Sequence, residues 1–257
     1  MSPSELLALY DLSGRVAVVT GGTRGIGRAI AEALVSAGAT VVVSSRKPEA
    51  CAATEAALID AGGQALGVAA HMGDLDALDA LVATTVERFG RLDILINNAA
   101  NPLGMPIMDI TPAAWEKSFA VNLQGPVFLA KAAHPYLVAS PCAAILNVLS
   151  VGAITWSPST SMYSGGKAAL LAFTRNMAAE WASVGIRVNA LAPGTVDTDM
   201  VRNTGAASME RMREISLQKR IAEPSEMVGP ALFLVSDASS YVTGQLLVAD
   251  GGYAVAR

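Results

Sequence analysis

The 257-residue sequence has little of what several classes of protein depend on. It contains two cysteines and two histidines, so neither a disulfide framework nor a Cys/His metal site is predicted, and no metal is expected. Charged residues make up 16% of the chain, and 18 scattered basic side chains stand against 22 acidic ones, a net charge of −4. Phosphate backbones are bound by clustered Lys and Arg. We therefore expect no nucleic-acid partner.

Long apolar runs are also missing. The richest one, AAILNVLSVGAIT, is interrupted by Asn147 and Ser150, well short of the ~20 residues that span a bilayer. The segment MSPSELLALYDLSGR has no basic stretch followed by an apolar core, so no signal peptide is predicted. We expect no membrane partner and a cytoplasmic location. Hydrophobic residues nevertheless make up 52% of the chain, which favours a folded domain over disorder.

Short β-branched runs alternate with alanine-rich amphipathic segments along the chain. The runs are RVAVVT, TVVVSS, ALGVAA, LDILINN, AAILNVLS, IRVNALAP and QLLVAD. This alternation is typical of a parallel sheet covered by helices on both faces. The sequence predicts an α/β fold, a doubly wound Rossmann domain of about seven strands. It would be a single domain over residues 1–257, with a cofactor half at about 12–100 and a catalytic half at about 101–257.

One polar, Met-rich stretch breaks this alternation. It is TDMVRNTGAASMERMREISLQKR, and it follows the sixth run. Ligands of open α/β sheets bind at the carboxyl ends of the strands, so we predict a substrate lid over about residues 198–220. A peripheral helix pair packed on the core is the alternative.

The first run leads directly into the glycine-rich turn TGGTRGIG. Glycines let a backbone approach a pyrophosphate, and the N-terminus of the helix that follows supplies free N–H groups. Glycine clusters also occur in ordinary tight turns, and the spacing here is GxxxGxG rather than GxGxxG. The placement between a strand and a helix favours dinucleotide binding. The predicted contacts are Gly21, Thr23, Arg24, Gly25, Ile26 and Gly27.

The end of the second run indicates which dinucleotide is bound. An acidic residue there would bind the adenosine ribose and select NAD, but the sequence has Ser44, Ser45, Arg46 and Lys47. Arg24 lies on the same edge, and a guanidinium suits phosphate oxygens. We therefore predict NADP rather than NAD, with contacts from Ser45, Arg46 and Lys47. An ordinary solvated loop is the alternative for the two cations.

A tyrosine and a lysine have a spacing that suits proton transfer. Tyr163 and Lys167 are four residues apart in YSGGK, which places them on one helix face. A neighbouring ammonium would lower the tyrosine pKa from ~10 and make the phenol a general acid/base. Ser150 ends the fifth run and can face the same crevice. The three residues form a predicted catalytic group.

These motifs together resemble the short-chain dehydrogenase/reductase family over essentially the whole chain after about Leu12. TGGTRGIG is similar to the family's cofactor turn, LINNAA to its NNAG segment and VNLQG to its asparagine motif. YSGGK with Ser150 resembles its catalytic set, and RVNALAPGTVDT the segment over the nicotinamide. The resemblance implies an oxidoreductase that transfers hydride between a nicotinamide and a carbonyl or a secondary alcohol.

The resemblance also implies roles for individual residues. Tyr163 would exchange the proton of the substrate oxygen and Ser150 would position that oxygen. Lys167 would bind the nicotinamide ribose, and Asn122 would anchor a water leading to Lys167. The remaining implied cofactor contacts are His71 and Met72 near the adenine, Asn98 and Ala99 beside the adenosine ribose, and Pro193, Gly194, Val196 and Thr198 around the carboxamide. Two positions depart from the family pattern: Ala100 replaces a glycine, and His71 replaces the usual Asp.

The substrate is expected to meet a largely apolar wall. The predicted wall residues are Leu103, Met105, Val151, Ile154, Trp156, Met162 and Met200. Such a wall suits a hydrophobic ketone or aldehyde. Within the family, the sequence looks most like the NADP-dependent carbonyl and retinal reductases, and bacterial 3-oxoacyl reductases are nearly as similar.

Three other functions stay open. One is a 3-oxoacyl-thioester reductase, whose carrier protein could meet basic residues of the predicted lid, namely Arg211, Arg213, Lys219 and Arg220. The second is an alcohol or polyol dehydrogenase, and the third is a non-catalytic NADP-binding sensor. By analogy with the family, we expect a homotetramer.

Overall fold

The β-branched runs form the strands of one parallel sheet in the computed structural model, which describes residues 1–256. The order of the strands across the sheet is 3-2-1-4-5-6-7. The strands are β1 (Val16–Thr20), β2 (Thr40–Ser45), β3 (Ala65–Ala69), β4 (Ile94–Asn97), β5 (Ala144–Val148), β6 (Arg187–Pro193) and β7 (Leu246–Ala249). The predicted α/β Rossmann fold with about seven parallel strands is confirmed.

Helices occupy the segments between the strands. They are α1 (Pro3–Ala8), α2 (Gly25–Ser36), α3 (Pro48–Asp60), α4 (Leu75–Phe89), α5 (Pro112–Phe119), α6 (Gly125–Val138), α7 (Ser161–Trp181), α8 (Asp199–Arg202), α9 (Ala206–Ile215) and α10 (Val228–Val235). A single π-helical turn, Ala120–Gln124, joins α5 to α6. Within residues 1–256, no helix has both the length and the apolarity needed to cross a bilayer.

The core has two layers because successive strand residues point to opposite faces of the sheet. Val19 of β1 packs in the layer under α2 and α10, while its neighbour Val18 packs under α4, α6 and α7. Both side chains are fully buried. Burying a Val side chain contributes about 1.5–3 kcal/mol, so the apolar residues that alternate along each strand stabilise both layers.

The strand order reverses direction between β1 and β4, and this places a crevice at the carboxyl edge of the sheet. From β1 the chain continues outward to β2 and β3, and then returns to β4 on the other side of β1. Crevices at such reversals are the usual ligand sites of open α/β sheets. The fold therefore directs the ends of β1, β4 and β5 toward one site.

A buried carboxylate holds the opposite edge of the sheet. Asp93 is fully buried and accepts hydrogen bonds from the Val16 N–H at 2.8 Å and from the Ser140 hydroxyl at 2.5 Å. Arg91 donates to both carboxylate oxygens at 2.8 Å. Burial raises the pKa of Asp93, but these hydrogen bonds outweigh it and hold the pKa below the ordinary 3.8. Its charge therefore stabilises the fold at neutral pH.

We expect Asp93→Asn to lower the free energy of unfolding by about 2 kcal/mol at pH 7, since hydrogen bonds to a charged acceptor are lost. The stabilisation by Asp93 is complete above its unfolded pKa and is lost as the pH falls through the lower folded value. Chemical denaturation from pH 7 to pH 3 measures the free energy of unfolding of both proteins. The curve of the original protein should approach that of Asp93→Asn as the pH falls. The exposed Asp79 of α4 supplies the control, Asp79→Asn. A gap between the curves that stays constant with pH would contradict this account.

Candidate active site

The glycine-rich turn lies between the end of β1 and the start of α2. The helix packs so close to the turn that a Cβ atom on Gly27 would lie 2.3 Å from the backbone oxygen of Gly21. It would also lie 2.3 Å from Nδ2 of Asn98. Such distances exclude any side chain at Gly27. The glycine therefore allows α2 to begin directly against the turn and to point its N-terminus into the crevice.

The N-terminus of α2 has the properties of an anion site. Arg24 is the N-cap residue, and in the described structure its side chain does not cap the helix and no acidic residue lies in the first turn. The first N–H groups of α2 thus keep their partial positive charge. The pyrophosphate of a dinucleotide fits this position. The residues present are therefore compatible with a nicotinamide dinucleotide.

The carboxyl ends of the neighbouring strands β1 and β4 are joined by a set of hydrogen bonds at this site. The Thr20 hydroxyl oxygen accepts the N–H groups of Asn98 at 3.0 Å and Ala99 at 3.2 Å. In return, Nδ2 of Asn98 donates to the backbone oxygens of Thr20 at 2.9 Å and Gly21 at 3.2 Å. The Asn98 side chain therefore holds the glycine-rich turn in place. Asn98 and its neighbour Ala99 both line the cavity.

Ser150, Tyr163 and Lys167 lie together at the end of β5. All three line the same cavity as the glycine-rich turn. The Lys167 Nζ donates a hydrogen bond of 2.7 Å to the backbone oxygen of Val148 and lies 5.9 Å from the centre of the Tyr163 ring. The spacing of four residues on α7 thus places the phenol and the ammonium on the same side of the helix, next to Ser150.

Burial shifts the pKa of both Tyr163 and Lys167. It raises the pKa of Tyr163 above 10.0, although the hydrogen bond with Ser150 acts in the opposite direction. Burial also lowers the pKa of Lys167 to about 8. A tyrosine pKa below its ordinary value was the expectation from the sequence. The structure shows the reverse direction, because desolvation of the phenol is the largest effect on it.

Asn122 lies in the π-helical turn and does not line the cavity. Its side chain is fully buried and forms two hydrogen bonds with the backbone of Asn101, which does line it: Oδ1 accepts the N–H at 3.0 Å and Nδ2 donates to the oxygen at 2.8 Å. A Cβ atom on Gly166 would lie 3.2 Å from Cβ of Asn122. Asn122 is therefore packed next to the α7 turn that carries Lys167. π-Helical turns are frequent at functional sites.

The residues expected around the adenosine separate into two groups. Ser45, Arg46, His71 and Met72 line the cavity. Lys47 does not line it, because it is the N-cap residue of α3 and its exposed side chain lies outside. The N–H of Gly73 donates to Nδ1 of His71 at 3.1 Å.

One cavity of about 730 Å³ connects these groups. Its walls come from the carboxyl ends of the strands and from the segment after β6. The predicted site residues that line it are Gly21, Thr23, Arg24, Gly25, Ile26, Ser45, Arg46, His71, Met72, Asn98, Ala99, Ser150, Tyr163, Lys167, Pro193, Gly194, Val196 and Thr198. Gly27, Lys47 and Asn122 are the predicted residues outside it. No cluster of three or more His, Cys, Asp or Glu side chains that could hold a metal occurs among residues 1–256.

The predicted apolar wall is found only in part. Val151 and Met200 line the cavity, and Val201 and Met212 from the segment after β6 add to the apolar lining. The remaining predicted wall residues do not line it: Met162 is buried in the protein interior, and Ile154 and Trp156 are exposed on the surface. The full set outside the lining is Leu103, Met105, Ile154, Trp156 and Met162.

Hydroxyl side chains also contribute to the cavity lining. Thr155, Ser157, Thr160 and Ser164 line the cavity near Ser150. These residues are not among those predicted from the sequence, and neither are Thr20 and Asn101. A signal for Thr20 was present, since a polar residue that ends a buried apolar strand often contacts the next chain segment. Asn101 interacts through its backbone, which residue types do not reveal.

The crevice, the anion site and the Ser150, Tyr163 and Lys167 group define a dinucleotide-dependent oxidoreductase. Residues 21–254 match the family model adh_short_C2, described as Enoyl-(Acyl carrier protein) reductase. The chain is 38% identical to Dehydrogenase/reductase SDR family member 4 of Homo sapiens over 98% of this chain and 92% of that protein. It is 36% identical to the 3-oxoacyl-[acyl-carrier-protein] reductase of Synechocystis sp., over 94% and 97% respectively.

A solved structure agrees with these sequence matches. The gluconate 5-dehydrogenase of Burkholderia cenocepacia J2315, in complex with NADP and tartrate, is 32% identical and has a TM-score of 0.93 over 97% of this chain and 99% of that one. The chain belongs to the short-chain dehydrogenase/reductase family, whose members act on CH–OH and C=O groups.

The contact between Gly27 and Gly21 gives a direct test of the cofactor turn. We expect Gly27→Ala to weaken dinucleotide binding at least about 10-fold, because the added Cβ would displace backbone atoms that would face the phosphates. Isothermal titration with NADPH measures this, and circular dichroism checks that the variant is folded. Gly229→Ala is the matched control, since nothing lies within 4 Å of a Cβ there. Unchanged NADPH affinity in Gly27→Ala would show that the phosphates bind elsewhere.

Proposed function

We propose that this protein is an NADP(H)-dependent carbonyl reductase that acts on ketones or aldehydes. The observation that carries the proposal is the placement of Ser150, Tyr163 and Lys167 in the same cavity as the uncapped N-terminus of α2. A dinucleotide with its pyrophosphate at α2 and its nicotinamide toward β5 would present its reactive carbon to these side chains.

The chain's own residues supply the proton and the positioning. The bound nicotinamide supplies the hydride. Ser150 would donate a hydrogen bond to the carbonyl oxygen, and Tyr163 would then give its phenolic proton to that oxygen. The raised pKa of Tyr163 keeps the phenol protonated at neutral pH, the form in which it can donate this proton. Lys167, with a pKa of about 8, is mostly charged at pH 7 and would bind the nicotinamide ribose.

The choice of NADP is supported by the cation that follows β2. Arg46 is exposed on the cavity, and it makes no ion pair within residues 1–256. Ser44 and Ser45 occupy the strand end where a carboxylate would select NAD. An unpaired guanidinium without a competing carboxylate suits a 2′-phosphate.

A substrate with an apolar body is supported by part of the lining. Val151, next to Ser150, lines the cavity together with Met200, Val201 and Met212 of the segment after β6. Apolar walls with few polar groups favour hydrophobic ligands, and Met adapts to different shapes. These side chains support a hydrophobic ketone or aldehyde as the leading substrate class.

An alcohol or polyol dehydrogenase is the second candidate. The observation that favours it is the set of hydroxyl side chains at Thr155, Ser157, Thr160 and Ser164. A polyhydroxylated substrate needs several placed hydrogen-bonding groups. The gluconate 5-dehydrogenase noted above is a relative whose name fits this class.

The third option, a 3-oxoacyl-thioester reductase, has less support. A carrier protein would need free cations near the entrance, but Arg213 pairs with Glu210, Lys219 with Glu214, and Arg220 with Glu226. Arg211 makes its hydrogen bond with the Ser208 hydroxyl. Three of the four basic residues expected to bind the carrier therefore have an acidic partner on this chain, with which a carrier protein would have to compete.

We keep a homotetramer and a cytoplasmic location as parts of the proposal. Support for assembly comes from large apolar side chains exposed on three neighbouring helices. Trp115 of α5, Phe128 of α6 and Phe173 of α7 are 50%, 41% and 42% exposed. Aromatic residues at a surface are typical of protein interfaces.

We expect Tyr163→Phe to reduce the turnover of NADPH-dependent ketone reduction at least about 100-fold, the usual effect of losing a general acid. NADPH affinity should stay nearly the same, because the ring is retained. Steady-state absorbance at 340 nm and NADPH titration measure the two quantities. The control is Tyr136→Phe, which removes the hydroxyl of an exposed tyrosine on α6. Turnover in Tyr163→Phe comparable to that of the original protein would refute the assigned role.

The same assay separates the substrate classes. Aromatic diketones and retinal represent the hydrophobic class, a ketose the polyol class and a 3-oxoacyl thioester the third option. Faster NADPH oxidation with the diketones supports the leading proposal, and preference for the ketose supports the second candidate.

Arg46 and Lys47 form a natural pair for testing cofactor choice. We expect Arg46→Gln to weaken NADPH binding about 10-fold and to leave NADH binding nearly unchanged, since one charge-assisted contact to the 2′-phosphate is lost. Lys47→Gln, which removes the same charge outside the cavity, should change the ratio of the two affinities much less. Fluorescence titration with both dinucleotides measures this. Equal effects of the two substitutions would mean that the 2′-phosphate is recognised only through long-range charge.

A further inference from the structure

The segment 197–222 leaves the sheet and returns to it at a single point. Val196 and Ala222 form a parallel bridge, in which the Asp197 N–H donates to the Ala222 oxygen at 2.8 Å and the Ala222 N–H to the Thr195 oxygen at 3.0 Å. Between these ends, α8 and α9 contain no buried residue. Segments with little buried apolar contact open at low free-energy cost. The later part of the segment has a second attachment, where the buried Ser216 hydroxyl and the Gln218 N–H donate to the Gly251 oxygen at 3.0 and 3.1 Å. The position of α8 and α9 themselves therefore depends on a small number of surface contacts.

One of these contacts reaches the cofactor turn. Arg24 Nη1 lies 3.2 Å from Oδ2 of Asp199, the first residue of α8, and both side chains line the cavity. Next to this ion pair, a Cβ atom on Gly25 would lie 3.0 Å from Cγ2 of Thr198. The start of segment 197–222 thus lies against the turn on which the phosphates would be held.

The guanidinium of Arg24 is therefore available to two anions. Asp199 holds it in the structure, and the position of Arg24 in the glycine-rich turn would also bring it to a 2′-phosphate that Arg46 binds. The other carboxylate nearby, Asp197, is already engaged by Arg202 through bonds of 2.7 and 3.0 Å. Arg24 and Asp199 are 71% and 53% exposed, so their ion pair is weak and screened by salt. A phosphate with nearly two negative charges can displace a single carboxylate from it.

We propose that Asp199 is a cofactor-specificity residue that competes with the 2′-phosphate of NADP for Arg24. With a dinucleotide that lacks this phosphate, Arg24 stays paired with Asp199 and segment 197–222 stays attached to the cofactor turn. With NADP, Arg24 turns to the phosphate and the segment is released at its first helix. The inference rests on the proposed use of NADP, and it makes the segment over the substrate cavity sensitive to which cofactor is bound.

Adenosine 2′,5′-bisphosphate and adenosine 5′-monophosphate test this without the nicotinamide. We expect Asp199→Asn to raise the ratio of their affinities about three-fold in favour of the bisphosphate, the size expected for an exposed ion pair. Isothermal titration at low ionic strength measures both constants. Glu210→Gln, which removes an exposed charge of α9 that pairs with Arg213, should leave the ratio unchanged.

The double variant identifies the route of the effect. In an Arg24→Gln background, Asp199→Asn should no longer change the affinity ratio. If the change persists there, the carboxylate acts on the phosphate directly and the proposed competition is wrong. If the original protein prefers the bisphosphate but Asp199→Asn leaves the ratio unaltered, the inference fails and the NADP assignment stands. If the original protein shows no preference for the bisphosphate, both fail.

Hydrogen exchange of the intact protein tests the release of the segment. The bisphosphate should increase deuterium uptake in residues 199–215 relative to the monophosphate, and this difference should disappear in Asp199→Asn, whose segment is already released. Equal uptake with the two ligands in the original protein would overturn the structural part of the proposal.

Discussion

The site depends on the junction between the ends of β1 and β4. Thr20 and Asn98 exchange hydrogen bonds through side chains and backbone, and Gly27 lets α2 start against that junction. The last ladder pair of β1 and β4 is Val19 with Ile96, and beyond it these hydrogen bonds connect the two strand ends. The N-terminus of α2 and the end of β5 then have fixed positions relative to each other. A cofactor that bridges them needs this distance to be constant, because hydride transfer tolerates little error in geometry.

A second set of polar contacts, buried below the cavity, positions the helix that carries the catalytic side chains. Nδ2 of Asn97 donates to Oδ1 of Asn147 at 2.9 Å, and Nδ2 of Asn147 donates to the Thr174 hydroxyl at 2.9 Å. With the bond from Lys167 to Val148, these contacts fix α7 against β5 at two points. An apolar interface would permit sliding, whereas hydrogen bonds between buried polar groups specify one register.

The fold was predictable because its signal is local. Each β-branched run became a strand, and the spacing of Tyr163 and Lys167 gave their common direction on α7. The parts of the site that the sequence did not reveal depend on contacts between distant residues. The partner of Asn122 is the backbone of Asn101, and Arg24 meets a carboxylate 175 positions away. The prediction for the tyrosine pKa was also wrong, because residue spacing shows a neighbouring charge and does not show the desolvation of the phenol.

The bridge between Val196 and Ala222 has a consequence for how this scaffold can diversify. Because the two ends of the excursion are fastened side by side, the chain between them can be lengthened, shortened or exchanged with little effect on the sheet. The entropy of closing such a loop grows only slowly with its length. The same catalytic group could therefore be combined with different cavity-lining segments by replacing the one contiguous stretch 197–222. Laboratory recombination of segments among related chains would have natural crossover points at these two residues.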